Sequence, residues 1–246
     1  MAFRFGPTIK NNSLVYLDTK LAQSYPGLGN TVYDLTENGY NAELFGYSGA
    51  TLPIYNINGY FEQSELGSQI SGSTFFTNNS FGNNKASLEA VIYHNTLDNT
   101  DNIKNPGGVQ RYVGIYSYNP SFTETFIVRT AAYAGVGCIQ TYIVNDGNSY
   151  NFAIADNQFE INKWYHVVSV WDGLNLIIYK NGNLISSTFI GNITMRSTAN
   201  DTYSMAGKDY ESLNGRFGMG RIYNRALTSN EVLQKYLYNK PRFGIE

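Results

Sequence analysis

Apolar and polar positions alternate most densely between Trp164 and Ser187, WYHVVSVWDGLNLIIYKNGNLISS. Two turn signals, Asp172-Gly173 and Asn181-Gly182, divide this stretch into three apolar runs. Trp164–Trp171 and Leu174–Lys180 are rich in β-branched and aromatic residues, which suit a pleated, half-buried surface. Asn-Gly supplies the two positive-φ residues of a type I′ turn, so Lys180 and Asn183 should flank a tight reversal. Along the first run Trp164, His166, Val168 and Val170 share one face, and Tyr165, Val167, Ser169 and Trp171 share the other. Apolar mass on both faces predicts a central strand in a layered all-β body.

The same rhythm of short strands separated by turns runs through the rest of the chain. Strands are expected at Leu14–Asp18, Thr31–Leu35, Asn41–Phe45, Asn58–Gln63, Ala86–His94, Gln110–Tyr118, Glu124–Thr130, Cys138–Val144, Ser149–Ala155, Tyr203–Gly207 and Gly215–Asn224. Turns every 8–12 residues or so are the mark of a sandwich or jelly roll. Asn95–Gly108, polar and ending in Pro106-Gly107-Gly108, reads as a long surface loop. One helix is expected. Thr228-Ser-Asn-Glu231 has the capping-box pattern, and Val232, Leu233, Tyr236 and Leu237 follow it as an apolar stripe at helical spacing. Residues 1–12, with Phe3, Phe5 and the Gly6-Pro7 break, read as an N-terminal arm before a single domain over 13–246. The arm packs either on its own domain or on a neighbouring subunit, because exposed Phe pairs are usually covered.

Composition narrows the function classes. Of 246 residues only 15% are charged, against roughly 25% in an average soluble domain, and the formal net charge is −2. The surface should be neutral and rich in hydrogen-bonding groups, with 21 tyrosines available for stacking. There is no basic footprint for nucleic acid and no basic patch for an anionic membrane. The single cysteine, Cys138, lies in an apolar stretch and reads as a small buried thiol. The opening MAFRFGPTIK lacks a signal-peptide apolar core, so the expectation is a product made in a cytoplasm that stays there or leaves inside something larger, such as a virion.

Three stretches, WYHVVSVWDG, LIIYKNGNLI and GRFGMGRIYNRALTSNEVLQKY, together resemble laminin-G-like domains of the concanavalin A-type lectin/glucanase superfamily. GPTIKNNSLVYLDTKLAQSYPG and VYDLTENGYNAEL near the start, with KPRFG at the end, resemble the version found in tailed-phage virion and tail proteins. The resemblance covers essentially the whole chain, with residues 63–160 matching in strand rhythm alone. It implies a two-sheet antiparallel jelly-roll sandwich with one short C-terminal helix. Relatives usually continue after the G-Y-F strand with F-D-G-x-D-D, whereas Asn58–Glu65 lacks those aspartates. The retaining glycosidases of the superfamily carry E-x-D-x-x-E on one strand, and this chain does not.

Candidate chemistry follows from these readings. Glu62 and Glu65 are an odd number apart and would point to opposite faces of a strand, and Glu124 and Glu160 lack an acidic neighbour two positions away. His94 and His166 show no metal or triad pattern, and His166 should be a packed core residue. No enzymatic activity and no cofactor are expected. Calcium is the metal to consider, with Asp98–Asn102 the densest run of oxygen ligands. The first expectation is a structural component of a phage particle, capsid-decorating or tail-associated, contacting other virion proteins or further copies of itself. Phe3, Phe5, Arg242 and Phe243 are its candidate partner-binding residues. Arg216, Arg221 and Arg225 serve either as contacts or as intrachain partners. The alternative is an adhesin that holds a cell-surface glycan, with Tyr112, Tyr116 and Tyr118 as candidate platforms and Tyr142 and Tyr150 on neighbouring strands.

Overall fold

A computed structural model describes residues 13–73, 76, 80–98, 100–101, 103–118, 122–130, 137–196 and 200–246, with side chains at 118, 122 and 123 left aside. Sixteen strands form two antiparallel sheets of eight among the described residues. In chain order they are β1 (Ser13–Asp18), β2 (Thr31–Val32), β3 (Ala42–Gly46), β4 (Ile54–Asn56), β5 (Tyr60–Gln63), β6 (Ser68–Gly72), β7 (Ala86–His94) and β8 (Gln110–Tyr118). The second half supplies β9 (Phe122–Thr130), β10 (Ile139–Val144), β11 (Tyr150–Ala155), β12 (Trp164–Trp171), β13 (Asn175–Lys180), β14 (Asn183–Phe189), β15 (Asp201–Met205) and β16 (Gly215–Tyr223). The helix α1 is Ser229–Phe243.

The first sheet runs β14-β13-β12-β7-β16-β5-β4, with β1 paired to β16 beyond the end of β5. The second runs β11-β10-β9-β8-β15-β6-β3-β2. Non-sequential neighbours such as β12-β7-β16 and β9-β8-β15 are the crossovers of a jelly roll. The expected hairpin is present, with Lys180 opposite Asn183 and Asn181 and Gly182 both at positive φ. Two further strands, β4 and β6, were not expected. The first is three residues long and the second is SQISG, so neither carries a run of large apolar residues.

Alternation sorts each strand between the interior and the outside. Leu88, Ala90 and Ile92 of β7, Val167 and Trp171 of β12, and Phe217 and Ile222 of β16 point inward. They meet Ile115, Phe126, Val128, Ile143, Tyr203 and Met205 of the second sheet in one continuous core. The opposite face of the first sheet is also covered, because α1 lies on it. Val232 packs with Val168, Val170 and Tyr223, and Phe243 and Ile245 pack with Tyr16, Val91 and Met219. Gly218 is required by this docking: a Cβ there would come within 2.4 Å of the Phe243 ring. The predicted capping box is formed, with Glu231 also accepting from the Arg225 fork at 2.9 and 2.6 Å, and Gly244 closes the helix in the left-handed region.

Beneath α1 lies a buried polar network that the helix seals from water. The Glu89 carboxylate, fully buried, accepts from Tyr223 at 2.5 Å, bonds to His166 Nε2 at 2.9 Å and faces Arg221 Nη1 at 3.6 Å. Arg221 lies 3.8 Å over the Tyr16 ring; Tyr16 donates to Asp18, and Asp18 is held by both contacts of Arg242 Nη2, at 2.9 and 2.8 Å. Burial alone would raise the Glu89 carboxyl, but the Arg221 charge and the His166 hydrogen bond outweigh it and hold it well below the ordinary carboxylate range.

These placements correct two partner-binding expectations. Phe243 is buried against Trp164 and Gly218, and Arg242 is engaged by Asp18, so neither reaches outward. Phe3 and Phe5 lie outside the described residues. No helix among the described residues is long and apolar enough to cross a membrane.

Glu89→Ala should leave Arg221 buried without its counter-charge, costing about 3–5 kcal/mol as for other broken buried pairs; chemical unfolding at neutral pH would measure it. A second expectation concerns His94, which is fully buried in the core beside Tyr112. Burial lowers its pKa from 6.5 to about 4, so the folded state binds fewer protons than the unfolded chain. Its stabilising contribution is complete above pH 6.5 and is lost as pH falls towards 4, by about 3 kcal/mol at most. His94→Gln should flatten the pH dependence of chemical unfolding across that window.

Candidate functional site

α1 leaves the outer face of the second sheet free of helix, yet the middle of that face is buried, with Ile127, Tyr142 and Ser204 all at 2% exposure or less, and its β11 edge is exposed. The register aligns its outward residues in rows across the strands. One row is Glu43, Ser71, Ser204, Gly114, Ile127, Tyr142 and Phe152. Beside it, Arg111, Arg129, Gln140 and Ile154 form a second row, and Tyr116 stands opposite Glu124 in a third. Gly114 has no room for a side chain, because the Tyr116 hydroxyl and Ile127 would come within 2.4–2.6 Å of a Cβ. Tyr116 therefore folds over its own strand and becomes part of the floor.

Two arginines face each other directly across β8 and β9, a like-charge pair that needs anions nearby. Arg111 is paired with Glu124, at 2.5 Å, and with Glu211, which comes from the loop between β15 and β16. Arg129 donates to Gln140 at 2.8 Å and lies 3.8 Å from Glu211. Its guanidinium sits 4.7 Å over Tyr142, and Lys208 lies 5.8 Å over Tyr116. Burial would raise the Glu124 carboxyl, yet the Arg111 charge and hydrogen bonds to the carboxylate draw it below its ordinary value.

Next to this cluster, on edge strand β11, the surface becomes aromatic. Tyr150 and Phe152 are 51% and 40% exposed and lie nearly parallel, 14° between ring planes with centroids 6.1 Å apart. Both lean on Tyr142, at 5.6 and 5.4 Å, and Ile154 extends the apolar strip at 42% exposure. Burial and the Glu124 carboxylate push the Tyr150 hydroxyl above its usual pKa, so it stays a protonated donor across the physiological range. The site thus combines an exposed aromatic ledge with carboxylate, guanidinium and amide groups one or two strands away.

Two of the glycan-platform expectations are corrected here. Tyr112 is fully buried in the core, bonded to His94 at 3.0 Å, and Tyr116 is buried beneath Arg111 and Lys208. The side chain of Tyr118 lies outside those described. Of the tyrosines on β8, β10 and β11 whose side chains are described, Tyr150 is the exposed one, and its partner Phe152 was missed because an aromatic at a strand edge has the same sequence signature as a core one. Among the described residues no three His, Cys, Asp or Glu side chains gather as a metal site. In the Asp98–Asn102 stretch, Asp98 accepts from Thr100 and Asp101 from the amides of Ile103 and Lys104, so both carboxylates are taken up by their own loop. His94 and His166 project to opposite faces of the first sheet, one to Tyr112 and the other to Glu89.

A family model described as the concanavalin A-like lectin/glucanases superfamily matches residues 68–233. The chain belongs to this family. The match runs from β6 into α1 and so includes every strand of the aromatic ledge and the charge cluster. No curated protein matches the sequence. Among solved structures, the botulinum neurotoxin serotype G binding domain is similar at TM-score 0.62 and 18% identity, covering 93% of this chain and 51% of that one. The serotype D binding domain gives 0.61 and 17%, covering 93% and 51%. A Trypanosoma rangeli sialidase in complex with a difluorosialic acid gives 0.59 and 14%, covering 94% and 34%. The chain thus spans about half the length of the toxin domains and a third of the sialidase, and the likeness is one of fold.

Arg111→Ala should leave Glu124 and Glu211 without their main partner. The expected loss is about 2–3 kcal/mol, below the roughly 3–5 of a fully buried pair because both carboxylates still touch water. Glu124 contributes stability above its unfolded pKa near 4.5 that is lost as pH falls below it; the variant should show a smaller acid-side loss in pH-dependent unfolding.

Proposed function

We propose that this chain is a non-hydrolytic carbohydrate-binding module that holds a glycan on the outer face of its second sheet. The observation that carries the reading is the parallel, exposed Tyr150–Phe152 pair beside Glu124, Arg111, Arg129 and Gln140. A pyranose presents an apolar C–H face and a rim of hydroxyls. The ledge offers rings for the first, and the partly exposed Glu124 carboxylate and the Tyr150 hydroxyl offer an acceptor and a donor for the second. The low charge and abundance of Tyr and Asn suit such a ligand. The toxin binding domains and the sialidase lend support, since the same fold serves proteins described as binding a receptor or a sialic acid derivative.

The non-hydrolytic part rests on the state of the acids. Glycoside hydrolysis needs one carboxyl kept protonated at working pH and a second one free. Glu124 is drawn in the opposite direction and, with Glu211, is tied to Arg111, while Arg129 also faces Glu211. A purely structural place in a phage particle, through the terminal aromatics, is the weaker reading, because Phe243 and Arg242 are occupied within the chain.

A glycan array probed with the folded protein should give reproducible hits, and Tyr150→Ala or Phe152→Ala should weaken them at least about tenfold, the loss of one stacking contact of ~1.4 kcal/mol. Because both rings are half in solvent, the variants should lose little stability. A blank array on folded protein would defeat the reading.

A further inference from the structure

The first sheet carries a second unusual surface, just past the C-terminal end of α1, where Phe243 lies against Trp164. Pairing aligns Ile54, Glu62, Arg216, Tyr93 and Trp164 in one outward row across five strands. The Arg216 guanidinium is clamped between two rings, 4.4 Å from the centroid of Tyr93 and 4.9 Å from that of Tyr60. Trp164 touches both clamping rings, at 5.5 and 5.8 Å. All four side chains are half-buried. Arg216 has one polar contact among the described residues, a loose one from Nε to Glu62 at 3.4 Å. Its two terminal nitrogens make no hydrogen bond among the described residues, on a partly exposed guanidinium whose orientation is already set by stacking.

A planar fork held in this way recognises a carboxylate through two parallel N–H···O bonds, and the entropy of orienting it is spent in folding. We propose that Arg216 anchors a second ligand site, separate from the Tyr150–Phe152 ledge, that takes a carboxylate-bearing sugar of the uronic or sialic acid class. The carboxylate sits on the terminal nitrogens, and the apolar face of the sugar ring rests against Trp164. The surroundings favour a sugar over the free end of a peptide. Capture of a peptide terminus relies on spare backbone N–H groups, whereas Gly215–Phe217 is paired to β5 on one side and β7 on the other. What lies beside the fork is aromatic. Among the described residues Glu62 is the carboxylate that contacts Arg216, and it competes with the ligand for the same guanidinium.

The protein carries its own reporter, because Trp171 is fully buried and Trp164 is not. The experiment is a fluorescence titration of the full chain with trigalacturonic acid and with N-acetylneuraminic acid. The methyl ester of each sugar, sodium acetate at matched ionic strength and a short peptide with a free C-terminus serve as comparators. At least one acid should give a saturable change, its ester should bind at least tenfold more weakly, and acetate and peptide should bind more weakly still. Arg216→Gln should lose at least tenfold in affinity with an unchanged near-ultraviolet circular dichroism spectrum. Glu62→Gln should bind several-fold more tightly, and this variant decides the matter if Arg216→Gln does not fold. Phe152→Ala should leave the signal intact, which separates this site from the ledge. No saturable signal with either acid, equal binding of acid and ester, peptide binding as tight as sugar binding, unchanged affinity in Arg216→Gln, or no gain in Glu62→Gln would each overturn the proposal.

Discussion

A single buried carboxylate ties this fold together. Glu89 lies on the central strand of the first sheet, and its partners come from the strands on either side, His166 from β12 and both Arg221 and Tyr223 from β16. A charge taken out of water is tolerated only when paired and hydrogen-bonded. The three strands must therefore keep register, and α1 must stay in place to exclude solvent. The chain of contacts then leads from Arg221 through Tyr16 and Asp18 to Arg242 on the last turn of the helix, which joins β1 to the C-terminal end of the chain.

That arrangement decides where a ligand can be met. One face of the first sheet is core and most of the other is helix, so a ligand is met at the β11 edge of the second sheet, where Tyr150, Phe152 and Ile154 are exposed, and at the margin past Phe243. Both surfaces are built alike, with an arginine lying over tyrosine rings and a glutamate next to it. They differ in saturation. Arg111 is enclosed by two glutamates and serves to fix a floor, while Arg216 has a single loose partner among the described residues and a stacked, partly exposed fork. Charge pairing in the first case builds a rigid surface beside the aromatic ledge, and incomplete pairing in the second leaves binding capacity unused.

The sheet order brings residues distant in sequence into these sites. Glu211 reaches Arg111 from a loop one hundred residues later, and Arg216 meets Tyr60 and Tyr93 from opposite sides of β16. A reader of the sequence sees a plausible tyrosine on nearly every strand. Tyr112 and Tyr116, four residues apart on β8, are both lost to burial for different reasons, one in the core and one folded across Gly114. The register shift between Arg111 and Val113 breaks strict alternation at that point, so period-two counting along β8 assigns faces wrongly.

What the sequence determined alone were the features whose signals are local. Asn181-Gly182 demands positive φ at two adjacent residues, Thr228 and Glu231 satisfy the helix start within four residues, and alternation along Trp164–Trp171 sets the two faces of a central strand. The family followed from motifs of the same kind. Short strands without large apolar runs, β4 and β6, escaped because their stability comes from neighbours. Exposure was decided by tertiary structure only. Alternation says that two residues share a face, but not whether that face meets the other sheet, a helix or water, and for Tyr150, Phe152 and Arg216 that difference separates packing from binding.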